Sequence, residues 1–310
     1  MTSRLAGTAI ITLAMVSGIY NSIFGQKDSM TVNGKKVEIY TAGLENNFKD
    51  QPVIVFENGM ATRYIWWKSI IDSVCKKNSV FAYNRPRIGT SEDDSLPPTM
   101  KHIVDNLRQM LMAKGLNPPY LLVGHSFGGA YIRSFASYYP DEIAGLIFVD
   151  PIDFTKKEGY GLLPYLEMGV TEHQFDSLFA DPYDDFIKKL YEEMPGYYVE
   201  EVKISREISA SGFEECTQNP LPDVPVHFIQ AGGYKPSPDE KPTIYDREKM
   251  FRVDNFIKMK RWLELLNPLK FGKFFYSSNS GHFVQTDDPA LIISSITLAL
   301  KDYQKIQREK

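Results

Sequence analysis

The sequence has little of what several classes of protein require. Its 310 residues include two cysteines and five histidines. Two cysteines are too few for a disulfide scaffold or a four-cysteine zinc site, and five histidines leave few other metal ligands. Neither sign of charge is in large excess, since 35 Lys and Arg face 39 Asp and Glu. Such a slightly acidic chain does not offer the general basic surface that phosphate backbones need, so we expect no metal site and no nucleic-acid partner.

Charge is also absent from residues 5–24, which follow Arg4. A basic residue before a short apolar segment is typical of a secretory signal, so residues 1–25 are predicted to be a signal peptide that is cleaved before Gln26. The alternative is an uncleaved anchor that associates the protein with a membrane through residues 5–24, because a stretch of about 20 uncharged residues can just span a bilayer. We therefore expect an exported protein, periplasmic or secreted, or one anchored in the membrane. In an oxidising compartment Cys75 and Cys216 could form a disulfide, or they could be two unrelated buried thiols.

From residue 26 onward, short apolar runs alternate with helical patterns. A hairpin is predicted at 30–42 around Asn33-Gly34, because Asn-Gly is a strong signal for a two-residue turn. Buried strands are predicted at 52–56, 79–83, 120–123, 146–149, 226–229 and 273–276. Helices are predicted between them and at 289–306. This alternation indicates an α/β fold with a mostly parallel, doubly wound sheet, formed by residues 26–154 and 222–310. Residues 155–221 contain helical patches but no convincing buried strand, which indicates a helical insertion.

The clearest chemical signal is GHSFG at residues 124–128, which matches G-x-S-x-G. It lies between a predicted strand and a predicted helix, the context in which a tight turn exposes a nucleophilic serine. Gly124 and Gly128 are expected where that turn packs closely against its neighbours. The backbone N–H of Phe127 would face a developing oxyanion from the start of the helix. The motif therefore predicts Ser126 as a nucleophile, and the alternative is a plain glycine turn.

With this motif in this context, the chain resembles the α/β-hydrolase family over about residues 30–310. In that family the insertion after the sixth strand is a lid, so the resemblance implies a helical lid at 155–221. Residues 56–60, FENGM, resemble the family's oxyanion loop, whose common form begins His-Gly. The resemblance implies that Met60 donates the second oxyanion N–H. Residues 83–91 resemble a structural D-R-x-G-x-G-x-S turn, from which Asn84 and Arg87 depart.

The resemblance also implies a histidine base on a loop after the last core strand. Gly281-His282, followed by Asp287-Asp288-Pro289, resembles the family's terminal G-H-x-x-x-x-D-x-P element. His282 would take the proton from Ser126 and return it to the leaving group. The other histidines are predicted to be structural, with His125 shaping the pocket; they are His102, His125, His173 and His227.

The acid of the triad has more than one candidate. Most of the family places it after the seventh strand, where Asp239 is the nearest aspartate. Some members place it at the end of the sixth strand, where Asp150 precedes Pro151. We favour Asp150, because in the family's sheet that strand neighbours the strand of Ser126. Asp153 is a weaker third candidate.

Taken together, these residues predict a serine hydrolase that cleaves a small-molecule carboxylic ester through an acyl-enzyme and needs no cofactor. Haloalkane dehalogenases and epoxide hydrolases of this family carry Asp at the nucleophile position, which Ser126 does not match. A prolyl-type aminopeptidase remains an alternative, because the acidic pairs at 192–193 and 200–201 could bind an amine; otherwise they are solvated helix faces. A catalytically inactive binding protein on the same fold is the second alternative.

Overall fold

A computed structural model describes residues 25–46, 51–155, 161–179, 192–236, 243 and 245–309. Three sequence predictions fall wholly or partly on other residues: the signal peptide or anchor, the middle of the predicted lid at 180–191, and the candidate acid Asp239. Among the described helices, none is both long enough and apolar enough to cross a membrane.

The described strands form one sheet. They are β1 (Gln26–Val32), β2 (Lys35–Ala42), β3 (Val53–Glu57), β4 (Val80–Tyr83), β5 (Tyr120–His125), β6 (Ile143–Val149), β7 (Val226–Ala231) and β8 (Gly272–Ser277). Their order across the sheet is β1-β2-β4-β3-β5-β6-β7-β8. The pairs β1–β2 and β2–β4 are antiparallel, and every other pair is parallel. The prediction of a mostly parallel sheet is therefore confirmed, and the predicted Asn33-Gly34 turn joins β1 to β2 with positive φ at both residues.

The described helices lie between strands β3 to β8 and after the last of them. They are α1 (Lys68–Val74), α2 (Met100–Ala113), α3 (Phe127–Tyr138), α4 (Leu163–Glu167), α5 (Glu172–Phe179), α6 (Gly196–Ala210), α7 (Glu214–Thr217), α8 (Arg247–Leu266), α9 (Val284–Asp287) and α10 (Pro289–Glu309). Short 3₁₀ turns at Leu44–Asn46, Tyr64–Trp67 and Pro140–Glu142 complete these connections.

Both faces of the sheet are covered, which explains why the central strands read as continuous apolar runs. Side chains alternate between the faces, so Val55 packs in one core and its neighbours Ile54 and Phe56 pack in the other. The core that contains Val55 also takes side chains of α2, α3 and α8, and the opposite core takes side chains of α1 and α10. This doubly wound arrangement fixes the strand ends that carry the candidate site.

The two cysteines lie on opposite faces of the sheet. Cys75 belongs to the core with α1 and α10, and Cys216 belongs to the core with α2, α3 and α8. Both are buried and neither is in a disulfide. The alternative of two unrelated buried thiols therefore holds, because the sheet separates them.

In its described parts, the predicted insertion at 155–221 consists of helices α4 to α7 and their connections. Its end is joined firmly to the core. Ile204 and Ile208 of α6, together with Phe213 and Cys216, belong to the same buried cluster as α2 and α3. The last part of the insertion thus contributes side chains to the hydrophobic core and does not merely cover its surface.

Candidate active site

Ser126 lies on the sharp turn between β5 and α3. Its φ of 53° and ψ of −121° are unusual for a residue other than glycine. The turn is held by its main chain: the Ser126 N–H donates to the carbonyl of Val149 at 3.0 Å, and its carbonyl accepts from the N–H of Gly129 at 2.9 Å. The strained turn thus holds Ser126 at the carboxyl end of β5, where it lines a cavity.

The two motif glycines are required by close packing, as the sequence predicts. A Cβ on Gly124 would lie 2.6 Å from the carbonyl oxygen of Gly128. A Cβ on Gly128 would lie 2.5 Å from the carbonyl oxygen of Asn58, on the loop after β3. Each is closer than real Cβ atoms approach a backbone, so a side chain on Gly124 would push the start of α3 away from β5, and one on Gly128 would push it away from the β3 loop.

The structure brings Ser126, His282 and Asp150 into one hydrogen-bonded chain. His282 Nε2 lies 2.9 Å from Ser126 Oγ. His282 Nδ1 lies 2.6 Å from Asp150 Oδ2. Asp150 follows β6, which lies beside β5 in the sheet, so the two strand ends meet at one edge. This is the geometry in which a histidine can take a proton from a serine while a carboxylate orients the ring.

Asp150 is fixed by neighbours that the sequence did not single out. Its Oδ1 accepts from Gln230 Nε2 at 2.8 Å and from the N–H of Ala231 at 3.0 Å. Gln230 is itself held by Asn255 Oδ1 at 3.0 Å and by the indole N–H of Trp262 at 3.1 Å. The second oxygen, Oδ2, is thus left for His282. In the sequence, the feature that could have identified Gln230 is its position as a polar residue near the end of the buried strand β7.

Of the other acid candidates, Asp153 is placed away from the histidine and Asp239 lies outside the described residues. Asp153 Oδ1 accepts from the hydroxyl of Thr155 at 2.6 Å, and Oδ2 forms an ion pair with Arg261. Both oxygens of Asp153 therefore have partners other than His282.

His125, the variable residue of the motif, supports the loop of His282. Its Nε2 lies 2.8 Å from the carbonyl oxygen of His282, so Nε2 must carry the proton that it donates. Burial, and next the nearby His282 ring, lower the pKa of His125 to about 3. Its Nδ1 is buried and faces Gly59, where a Cβ would lie 2.8 Å away. His125 is thus a neutral link between the serine turn and the histidine loop.

The two predicted oxyanion donors, Met60 and Phe127, line one cavity together with Ser126 and His282. In the described part of the chain, neither backbone N–H donates to a protein acceptor. Phe127 is the first residue of α3, where an N–H has no partner within the helix. Both N–H groups are therefore available to an oxygen bound beside Ser126.

The cavity has a volume of about 440 Å³ and two kinds of wall. Apolar side chains from five parts of the chain line it: Met60, Phe127, Ile152, Phe213 and Phe251. A charged wall carries two ion pairs, Asp153 with Arg261 and Asp254 with Lys258. Because these charges are paired, the wall offers polarity without a large excess of either sign.

The acidic pair at 200–201 is not a solvated helix face. Glu200 is half-buried and pairs with Lys203 at 2.9 Å, but Glu201 is buried and forms an ion pair with Arg85 at 2.6 Å. The prediction of a solvated face is wrong for Glu201, because α6 turns that residue toward the loop after β3. Glu192 and Glu193 of the other pair are exposed.

Comparisons with known proteins agree with this fold. A family model described as the alpha/beta hydrolase fold matches residues 52–192. The uncharacterized protein YqjL of Bacillus subtilis is 33% identical over 98 residues, which cover 32% of this chain and 39% of that protein. A (lyso)-N-acylphosphatidylethanolamine lipase of Bos taurus is 25% identical over 121 residues, which cover 38% of this chain and 35% of that protein.

A solved structure extends the likeness to most of the chain. The haloalkane dehalogenase DbeA-M1 loop variant from Bradyrhizobium elkanii superposes with a TM-score of 0.59 at 15% identity, over 92% of this chain and 99% of that one. At that identity the likeness concerns the fold alone. The family model and the superposition together show that the chain has the α/β-hydrolase fold. The matched region spans less than two-fifths of the length of either curated relative.

Proposed function

We propose that this protein is a serine hydrolase that cleaves a carboxylic ester through an acyl-enzyme intermediate. The observation that supports it best is the unbroken chain from Ser126 Oγ through His282 to Asp150, with contacts of 2.9 Å and 2.6 Å. Met60 and Phe127, whose backbone N–H groups donate to no protein acceptor among the described residues, line the same cavity as Ser126. A nucleophile, a base, an orienting carboxylate and an oxyanion site are the parts that acyl transfer requires.

The residues of the site have distinct roles in the proposed reaction. His282 Nε2 takes the proton as Ser126 Oγ attacks the ester carbonyl, and the Met60 and Phe127 N–H groups stabilise the oxyanion. Asp150 holds the ring and stabilises the imidazolium, which then protonates the leaving alcohol. In the second half His282 activates a water that hydrolyses the acyl-Ser126 bond. The chemistry needs no metal or organic cofactor.

The acidic residues argue for an ester more than for a peptide with a free amino terminus. An aminopeptidase of this type needs carboxylates that can bind the substrate amine. Glu201, the most buried of the candidates, already accepts from Arg85, and Glu200 pairs with Lys203. The carboxylates of the cavity wall, Asp153 and Asp254, are also paired with cations.

Turnover of p-nitrophenyl esters of increasing acyl length, beside a set of aminoacyl-naphthylamides, tests the proposal. We expect ester turnover, labelling of Ser126 by a fluorophosphonate, and little amide turnover. Amide turnover in place of ester turnover would identify a peptidase. Absence of turnover together with absence of labelling would identify an inactive binding protein.

We also propose that residues 1–25 direct export. In support, β1 begins at Gln26, so cleavage before that residue would leave the sheet whole. N-terminal sequencing of protein from its native host tests this. A chain that starts near Gln26 outside the cytoplasm is the expected result, whereas an intact Met1 in the membrane fraction would identify an anchor.

A further inference from the structure

A buried ion network lies beneath the loop that carries Met60. We call residues 58–61 the oxyanion loop. Three charged side chains converge on it from separate elements: Glu57 at the end of β3, Arg85 after β4 and Glu201 in α6. All three are at most 3% exposed. Buried charges are costly unless they are paired and fully hydrogen-bonded, so the geometry of this group is closely constrained.

Arg85 uses all five of its N–H donors within this network. Nη1 donates to Glu57 Oε1 at 2.6 Å and to the carbonyl of Asn58 at 2.8 Å. Nη2 donates to the carbonyl of Gly59 at 2.7 Å and to Glu201 Oε2 at 3.1 Å. Nε donates to Glu201 Oε1 at 2.6 Å. The guanidinium thus fixes two successive carbonyls of the oxyanion loop. Glu201 accepts from the Nε and Nη2 groups on the other edge of the guanidinium.

Glu201 also holds the loop directly. Its Oε2 accepts the N–H of Ala61 at 2.5 Å. Ala61 has a φ of 54°, in the left-handed region that a residue with a Cβ seldom adopts. Met60 lies between the carbonyl that Arg85 holds and the N–H that Glu201 holds. The direction of the Met60 N–H therefore depends on both contacts.

We propose that Glu201 is a positioning residue for the oxyanion hole: from α6 of the insertion, it fixes the Met60 N–H through Ala61 and Arg85. The hole is then complete only when α6 is docked against the core. This inference rests on the proposed serine-hydrolase function for its catalytic consequence, but the contact between Glu201 and the loop can be tested without turnover.

The test compares Glu201→Gln with Glu200→Gln. The first variant keeps the shape but removes a charge and turns an N–H₂ group toward the donors of Arg85 and Ala61. The second removes a charge one residue away on the same helix, from a half-buried side chain outside the network. Amide hydrogen exchange of residues 58–62 reports the loop, and steady-state kinetics on a p-nitrophenyl ester reports the hole.

For Glu201→Gln we expect faster exchange at Ala61 and a kcat lower by about 10- to 100-fold, with KM nearly unchanged, since the loop would misplace a donor used mainly in the transition state. Glu200→Gln should match the unmodified protein in both measurements. Glu201→Asp keeps the charge on a shorter side chain and should recover part of the rate; it also carries the test if Glu201→Gln does not fold.

Unchanged exchange at Ala61 in Glu201→Gln would overturn the proposal, and so would a loss of rate that Glu200→Gln shares. Failure of the proposed function looks different. In that case the unmodified protein neither turns over esters nor reacts with a fluorophosphonate, while the exchange measurement still decides whether Glu201 holds the loop.

Discussion

The two sides of the candidate site are held in place by different interactions. The histidine side consists of Ser126 and Asp150 at the ends of β5 and β6 and His282 on the loop after β8. Main-chain hydrogen bonds and uncharged side chains hold it, and its histidine is half exposed. The oxyanion side, made of the oxyanion loop and its ion network, depends on buried charges from three elements. The edge of the sheet thus carries the nucleophile, whereas the oxyanion loop requires the insertion to be packed against the core.

The largest effect should come from the nucleophile. We predict that Ser126→Ala lowers kcat on the best ester substrate by on the order of a million-fold, because loss of the nucleophile removes the whole acyl-enzyme route. The hydroxyl contributes little packing, so the melting temperature should stay close to that of the unmodified protein. Retention of more than a few per cent of the activity would exclude Ser126 as the nucleophile.

The next effect tests the acid on the histidine side. We predict that Asp150→Asn lowers kcat by about ten-thousand-fold, because an amide keeps the shape but favours the wrong histidine tautomer and cannot stabilise the imidazolium. Asp239→Asn and Asp153→Asn are the matched controls and should change the rate far less. A collapse of the rate in Asp239→Asn alone would transfer the role of the acid to that residue.

Much of the histidine side could be expected from the sequence, through the G-x-S-x-G motif and the resemblance to the α/β-hydrolase family, although the acid stayed open among Asp150, Asp239 and Asp153. G-x-S-x-G between a strand and a helix predicts the turn of Ser126, and the position of Asp150 after a strand predicts that it reaches the same sheet edge. The structure brings these residues together as the pattern indicated. The fold was predictable because strands β3 to β7 are short, mostly apolar and fully buried, and are bounded by turn residues.

The oxyanion side was not predictable in the same way. Arg85 and Glu201 are separated by 116 positions, and nothing around Glu201 distinguishes it from its neighbour Glu200. A single glutamate in an amphipathic helix is predicted to face solvent when the sequence identifies no buried partner for it. Only the docking of α6 shows that Glu201 faces a buried arginine. Glu57 gave a weak indication of a buried partner, because a charged residue at the end of an apolar strand must be paired or hydrogen-bonded.

A third prediction concerns the stability of the ion network. We expect Arg85→Met to lower the free energy of unfolding by about 3–5 kcal/mol at pH 8, because two buried carboxylates lose their cation. Burial raises the pKa of Glu57, with Arg85 opposing the shift, so removal of Arg85 should raise that pKa further. A carboxyl group with a raised pKa in the folded state destabilises it as pH rises through that value. Urea unfolding should therefore show a smaller deficit at pH 5 than at pH 8.

The control for this variant is Arg87→Met, which removes an arginine that pairs with Asp93 at the surface. Its unfolding free energy should differ from that of the unmodified protein by much less, with no marked pH dependence. An Arg85→Met deficit that is the same at both pH values would show that the cost is lost packing and not unpaired charge.

The smallest predicted effect concerns His125, the buried titratable link on the histidine side. Its pKa is lowered to about 3 in the folded protein, chiefly by burial, whereas an unfolded histidine titrates near its ordinary value. A group of this kind contributes stability above its unfolded pKa and loses it as pH falls toward the folded value. Between pH 8 and pH 5 the loss should amount to about 2 kcal/mol.

The variant His125→Gln keeps a donor for the His282 carbonyl but does not titrate. Its free energy of unfolding, measured in urea, should therefore fall by about 2 kcal/mol less between pH 8 and pH 5 than that of the unmodified protein. The buried His227, whose pKa is lowered to about 4, contributes equally to both proteins and cancels in the comparison. Equal pH dependence of the two proteins would mean that the pKa of His125 is the same in the folded and the unfolded chain, so that its ring gains its charge within the fold as the pH falls from 8 to 5.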